Sequence, residues 1–186
     1  MSLRERKGLL LAFALTTGLA VAASACTVRP LYMKEDPGSA GASAGTAAEL
    51  ASIAVNPVTT RDAQLVRNEL IFLLGGGAGE ATNPRYSLQL NVFSQQLATA
   101  RAPASTRDDI NVPTAAILTM SARYTLTDIS SNQVVATGRR SMSSSIDVPR
   151  QQYAALRAQN DAQQRAAREL AQLLRFAIAQ DLVHKK

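Results

Sequence analysis

Fourteen residues, Ala115 to Asp128, repeat with a period of two, with Leu118, Met120, Ala122, Tyr124 and Leu126 on one parity and Thr119, Ser121, Arg123, Thr125 and Thr127 on the other. Successive side chains of a strand point to opposite faces, so this run predicts a strand with one face buried and one wet. Arg85 to Phe93 carries the same signature: Tyr86, Leu88, Leu90 and Val92 share one side, and Arg85, Ser87, Gln89 and Asn91 the other. Such alternation belongs to a sheet covered on one face only.

The remaining elements are read around these two strands. Leu50 to Val58 is short and β-branched, with Ile53 and Val55 on one side and Pro57 ending it, which predicts a further strand. Thr59 or Thr60 can cap a helix whose first turn holds Asp62 and whose apolar positions are Ala63, Val66, Leu70 and Leu73, stopped by Gly75-Gly76-Gly77. Ala100 to Val112, containing Pro103, Asp108 and Asp109, reads as a polar loop. After a turn at Ser130-Ser131-Asn132, Val134, Ala136 and Met142 can share a face of a strand running to about Ile146. Gly138 and Arg140 spoil that parity, and a bulge at Gly138 would restore it. From Pro149 to about Val183 neither Gly nor another Pro interrupts the chain, and Ala162, Ala166, Ala167, Leu170, Leu173, Leu174 and Ala177 project as one stripe, with Arg157, Arg165, Arg168, Gln172 and Arg175 opposite. A helix of that length spans about 50 Å, so its Gln-rich first half is expected to project. The order β-α-β-β-β-α predicts an α+β fold: a two-layer sandwich with a four-stranded, mostly antiparallel sheet covered on one face by two helices. The uncovered face is expected to carry Arg85, Gln89, Asn91, Thr119, Ser121, Arg123, Thr125, Thr137 and Arg139, and no acid.

Before this domain the chain reads as an address. Arg4, Arg6 and Lys7 precede an uncharged apolar run of 14 residues, Leu9 to Ala22, followed by Ala23-Ser24-Ala25-Cys26. A basic start, an apolar stretch and small residues before a cut make a secretory signal over residues 1–25. The apolar run reaches only about 21 Å as a helix, short of the roughly 30 Å hydrocarbon core, so it is expected to be removed and not to span. Small residues before the chain's one cysteine resemble a bacterial lipobox, in which that cysteine is acylated and becomes the mature N-terminus; Ala23 stands where Leu is commonest. The other reading is an ordinary secretory signal before an incidental Cys26. Acyl chains on Cys26 would anchor the protein, at ~0.8 kcal/mol per buried CH₂. Residues 26–49 are then the anchored N-terminus and its tether, because Lys34 to Glu49 is Gly, Ser and Ala with little that can be buried. Residues 50–186 form the domain.

Chemistry is sparse. A single His, His184, a single Cys and no Trp exclude a disulfide framework, a Cys/His zinc site and any triad built on a positioned imidazole. Gly75 to Gly79 lacks the Lys-Ser or Lys-Thr of a phosphate loop and ends a helix instead of opening one. Asp108-Asp109 has no apolar bracket to raise a carboxyl pKa, and Ser143-Ser144-Ser145 has no base near it in sequence. No enzyme, metal or cofactor is therefore expected. Beyond residue 25 the chain keeps 17 bases against 13 acids, and 14 of those bases are Arg. Arginine forks suit phosphate and carboxylate oxygens, although a GC-rich coding bias would also enrich Arg and Ala. Arg85, Arg123 and Arg139, picked out by strand parity, are the candidates for contact with an anionic lipid or with the polar lumen of a β-barrel. A nucleic acid partner is not expected, because few aromatics are present to stack bases.

Several segments together resemble the lipopolysaccharide-assembly lipoprotein family LptE in its alphaproteobacterial form. Cys26-Thr27-Val28-Arg29-Pro30-Leu31-Tyr32 is similar to that family's Cys-Gly-Phe-x-Pro-Leu-Tyr opening, with Thr27-Val28 replacing Gly-Phe. The likeness resumes at Arg85-Tyr86-Ser87-Leu88, at Ala122 to Asp128 with Val134 to Gly138 after it, and in the last helix at Gln152-Tyr153-Ala154-Ala155, Asn160-Asp161-Ala162 and Arg168 to Ala171. The resemblance implies two helices on a four-stranded sheet and a non-enzymatic outer-membrane lipoprotein, anchored on the periplasmic side. It also implies a partner, the LptD β-barrel, which such a protein plugs and helps to assemble, and a role in delivering lipopolysaccharide to the outer leaflet. From another class, a pilot or accessory lipoprotein of a different membrane assembly fits the same residues. A periplasmic binding protein for small apolar ligands fits least, since helices on one sheet face leave no obvious cavity.

Overall fold

The computed structural model describes residues 42–105 and 108–184. In chain order the elements are α1 (Ala42–Ala51), β1 (Ile53–Val55), α2 (Arg61–Leu74), β2 (Tyr86–Ser105), β3 (Asp108–Asp128), β4 (Gln133–Asp147) and α3 (Gln152–His184). The four strands form one sheet in the order β1-β2-β3-β4, with β1 parallel to β2 and the other neighbours antiparallel. The architecture is thus the α+β sandwich that the periodicity predicts, with a third helix added ahead of it.

Alternation translates directly into burial. Leu118, Met120, Ala122, Tyr124 and Leu126 of β3 are all buried, as are Tyr86, Leu88 and Leu90 of β2. They pack against Val66 and Leu70 of α2 and against Ala162, Ala166, Ala167, Leu170, Leu174, Ala177 and Ile178 of α3. The alanines let the helix axis approach the sheet closely, and each fully buried Leu or Ile contributes roughly 1.5–3 kcal/mol. Helix α2 begins as its sequence suggests: Thr60 is the N-cap and its hydroxyl accepts from the Ala63 N–H at 3.3 Å. It ends at Gly75, whose N–H donates to the Ile71 carbonyl at 2.9 Å, and Gly76 and Gly77 follow at positive φ. The fourth buried position of α2 is Leu74, not Leu73. In α3 Leu173 is more than a third exposed, off the stripe expected to include it. No residue between Gln152 and Asp161 is buried, but Ala158 packs on the margin of the core and Ala162, Ala166 and Ala167 are buried in it, so the first half of the helix does not project as a whole.

Four sequence expectations need correction. First, residues 42–51 are helical, although the composition reads as a tether up to Glu49 and a strand from Leu50; five alanines in ten residues favour a helix, and Leu50 buries its end in the core. Second, Ala100 to Val112 is not a polar loop: β2 and β3 continue as a two-stranded ribbon to Ser105 and Asp108. That ribbon extends past Ala115, where pairing with β4 ceases, so neither of its faces must alternate, and Pro103 and Pro113 sit in it among register shifts. Third, the bulge in β4 lies at Val135, between the pairs Leu126↔Ala136 and Thr127↔Val134. Gly138 pairs regularly with Tyr124, because the Tyr124 ring occupies the space a side chain at 138 would fill. Fourth, the outer face is not free of acid, since Asp147 shares the parity of Arg139 at the far end of β4.

Cys26 and the signal segment lie outside the described residues.

Candidate functional site

The uncovered sheet face brings two of the three sequence candidates together. In the β3–β4 ladder Arg123 stands directly opposite Arg139, and in the β2–β3 ladder Asn91 stands opposite Arg123. The Val148 N–H donates to the Thr114 carbonyl, so even-numbered residues of β3 bond toward β4 and the odd ones do not. Arg123 and Arg139 therefore form a non-hydrogen-bonded pair, the class in which facing side chains stand closest, with Cα atoms about 4.5 Å apart. Thr119 and Ser143, two such pairs further along, meet with their hydroxyls 3.0 Å apart.

Both guanidinium groups are exposed, and neither has a hydrogen-bond or ion-pair partner among the described residues. Two like charges facing each other across a ladder cost roughly 0.2–1 kcal/mol. Asn91, Phe93 and Ser121 complete a shallow concavity around them. Further along the same face are the cross-strand neighbours Leu97 and Ile117, both exposed. The arrangement offers two forked donors to an anion, a hydroxyl and an amide beside them, and an apolar strip along one side.

Arg85 is placed differently. It precedes β2, some six residues along the strand from Asn91, with its Nε 3.8 Å from Oδ2 of Asp128 and its guanidinium 5.1 Å from the centroid of the Tyr86 ring. Asp128 in turn is buried, and its Oδ1 accepts from the Ser130 N–H and hydroxyl and from the Ser131 N–H, closing the turn into β4. The structure thus gives Arg85 an intramolecular partner and separates it from the Arg123 and Arg139 pair.

The pair rests on a packed floor. Between the two arginines' neighbours, Tyr124 lies buried against Gly138, and its hydroxyl donates to Oδ2 of Asp181 in α3 at 2.6 Å. Burial, then the hydrogen bond to Asp181 and its negative charge, hold the Tyr124 hydroxyl far above the ordinary tyrosine range, with Arg140 pulling the other way.

Two further arginines fasten the layers, and sequence pattern did not single them out for that role. Arg165 of α3 donates to Oγ of Ser144 at 3.1 Å and to the Ser145 carbonyl at 3.0 Å, and it pairs with Asp161. Arg67 of α2 donates to the Val55 carbonyl at 3.0 Å and to the Asn56 carbonyl at 3.1 Å, and it pairs with Glu80. Helix periodicity marks such residues only as off the apolar stripe; their partners lie 20 and 12 residues away in sequence. Ser144 is accordingly part of the fastening between β4 and α3. Asp108 and Asp109 begin β3 at the end of the ribbon. Among the described residues no cluster of metal-ligating side chains occurs, and no helix is long and apolar enough to cross a membrane.

Comparisons with known proteins agree with this architecture. The family described as LptE, lipopolysaccharide-assembly, matches residues 50–178. Among solved structures, a Caulobacter crescentus CB15 protein described as a lipoprotein is 30% identical, with a TM-score of 0.61 over 76% of this chain and 98% of that one. A minor lipoprotein from Acinetobacter baumannii is 13% identical, with a TM-score of 0.51 over 69% of this chain and 89% of that one. Rare lipoprotein B from Shewanella oneidensis is 11% identical, with a TM-score of 0.51 over 72% and 96% of the two chains. The last two share the fold alone. The curated protein sequences contain no match.

Proposed function

Because this chain belongs to the LptE family of lipopolysaccharide-assembly lipoproteins, we propose that it plugs an LptD-like β-barrel, assists that barrel's assembly and helps deliver lipopolysaccharide to the outer leaflet. The observation that carries the reading is the unpartnered pair Arg123 and Arg139 on the uncovered sheet face. A fold tolerates two facing guanidinium groups at some cost, and lipid A phosphates are a ligand that would turn the cost into binding. The Ser, Thr and Asn side chains around the pair suit a barrel lumen, which is lined by alternating polar residues. No chemical step is required of any residue, in line with a non-enzymatic family.

In this reading Cys26 is the acylated anchor, held to the periplasmic side of the outer membrane. Residues 27–41 join it to α1, and whatever their conformation they reach no more than ~54 Å from the lipid. The sheet face and the projecting β2–β3 ribbon are the elements offered to the barrel. Arg123 and Arg139 take the anion, and Arg85 braces the turn through Asp128.

The test is recovery of the tagged protein from detergent-solubilised outer membranes, with mass spectrometry of whatever accompanies it at equal stoichiometry. The expected companion is a large LptD-like β-barrel. Recovery of a different channel would reassign the protein as a pilot or accessory of that assembly, and recovery of the protein alone would overturn the plug.

A further inference from the structure

Past Asn91 and Arg123 the outer face changes character along its strands. Phe93 stands two residues and Leu97 six residues beyond Asn91 on β2, which places them about 7 and about 20 Å along the strand from the arginine pair. Leu97 faces Ile117 across the β2–β3 ladder, and Phe93, Leu97 and Ile117 are 65%, 66% and 38% exposed. Gln95 and Thr119 lie between them, and Ser141, Ser143 and Ser145 run alongside on β4. None of these is an acid. Asp147 stands at the next outward pair past Ile117 and Ser145, opposite Ala115. The face thus has cations toward one end, apolar side chains along it and a carboxylate at the other end. A polar barrel lumen supplies no apolar cover for Phe93, Leu97 and Ile117.

We propose that this face holds one acylated phosphomonoester, its phosphate shared by Arg123 and Arg139 and an acyl chain laid along Phe93, Leu97 and Ile117, and that the pair selects it over the phosphodiester lipids of a bilayer. The inference rests on the anion reading of the arginine pair and adds to it the ester class, the chain and their direction. Charge selects the ester. Arg123 and Arg139 face each other in the closest class of cross-strand pair, so two permanent positive charges converge on one anion. A phosphomonoester carries about −1.5 to −2 at pH 7 and offers three oxygens to the two forks, which compensates both guanidinium groups. A phosphodiester carries a single negative charge and leaves part of the repulsion across the ladder standing. Direction follows from the two ends of the face. A phosphate near Leu97 would lie toward Asp147, whereas at the arginine pair it sits in the concavity formed with Asn91, Phe93 and Ser121, and the chain runs along the apolar side chains. The chain supplies the second selection, because a bare phosphate gains nothing from Phe93, Leu97 and Ile117, while every CH₂ buried against them adds affinity. One lipid on one plug leaves the equal stoichiometry with a barrel unchanged.

The test is calorimetric titration of the full chain carrying Cys26→Ser, purified without detergent so that nothing competes for the apolar side chains. The probes, each kept below its micelle concentration, are dodecyl phosphate, its methyl diester and inorganic phosphate. At about pH 7.5 dodecyl phosphate is expected to bind at least about tenfold more tightly than either of the others. Its lead over the diester should vanish at about pH 5, below the second phosphate pKa near 6, where both esters carry one charge. The residues around the phosphate, Asn91, Phe93, Ser121 and the two arginines, hold no group that titrates in that interval. Leu97→Ser should weaken dodecyl phosphate at least about fivefold, and Arg139→Gln should remove the preference for monoester over diester. Equal binding of dodecyl and inorganic phosphate, or indifference to Leu97→Ser, would overturn the acyl strip while leaving the arginine pair an anion site. Equal binding of the two esters at about pH 7.5 would overturn the ester selection in favour of ordinary bilayer lipids, and binding of no phosphate at all would overturn the anion reading itself. The barrel partner is decided separately, by the recovery from outer membranes.

Discussion

Replacing Gly138 with alanine tests the packing beneath the arginine pair. A Cβ at this position would stand 2.5 Å from the Tyr124 hydroxyl oxygen and 2.6 Å from two carbons of its ring. The ring cannot withdraw cheaply, since Tyr124 is 1% exposed and its hydroxyl is committed to Asp181 at 2.6 Å. Overpacking a core of native density costs about 1–3 kcal/mol. If the ring swings away instead, a hydrogen bond to a carboxylate is lost, at about 1.5–3 kcal/mol. Against this stands a gain of about 0.4–1 kcal/mol from restricting the unfolded chain. The net expectation is a destabilisation of roughly 1–3 kcal/mol, read as a lower urea midpoint at constant slope. In a Tyr124→Leu background the obstruction is gone, and Gly138→Ala should be neutral or mildly stabilising, so the two substitutions couple by about 2 kcal/mol. A loss below about 0.5 kcal/mol in the wild-type background, or an equal loss in both backgrounds, would refute the steric account and return Gly138 to a merely permissive position.

Three other predictions follow from named contacts. Arg139→Gln should leave stability unchanged or raise it by a few tenths of a kcal/mol, by relieving the repulsion from Arg123, while retention on immobilised lipopolysaccharide weakens by about tenfold; a matching loss of stability would show that the pair is structural. Arg165→Ala should destabilise by about 1–2 kcal/mol in thermal melts, because Ser144 and the Ser145 carbonyl lose their donors, and Arg165→Lys should recover only part of it, since a single ammonium lacks the fork. Tyr124 supplies a pH signature: its folded pKa lies above the ordinary value near 10, so its stabilising contribution is complete below about pH 10 and is lost as pH rises beyond. Stability should therefore fall less steeply above pH 10 in Tyr124→Phe than in the wild type, and parallel curves would contradict the assignment.

What the sequence by itself determined is the local grammar. Period-two runs became strands with Leu118, Met120, Tyr124 and Leu126 inside, a Thr cap opened α2, and a stripe of Ala and Leu laid α3 on the sheet. Each of these follows from neighbours within one or two turns, or from one strand's own pleat. The ribbon from Ala100 to Val112 escaped that grammar because alternation is enforced only where a face is buried, and this two-stranded extension runs beyond the end of its pairing with β4. Only the tertiary structure decided register. It set the bulge at Val135, which put Val134 on the outer face instead of beside Ala136 and Met142, and it brought Arg139, outward by parity, directly opposite Arg123 while Gly138 came to lie against the Tyr124 ring. It also gave Arg85 its carboxylate, and among the described residues it left β2 beyond Leu88 without a second neighbouring strand. Parity can say which side of a strand a residue occupies, but which residue faces it on the next strand depends on where the intervening turn closes and where an extra residue is inserted. A slip of one position exchanges the two faces, and so the pairing of two cations 16 residues apart belongs to the fold as a whole.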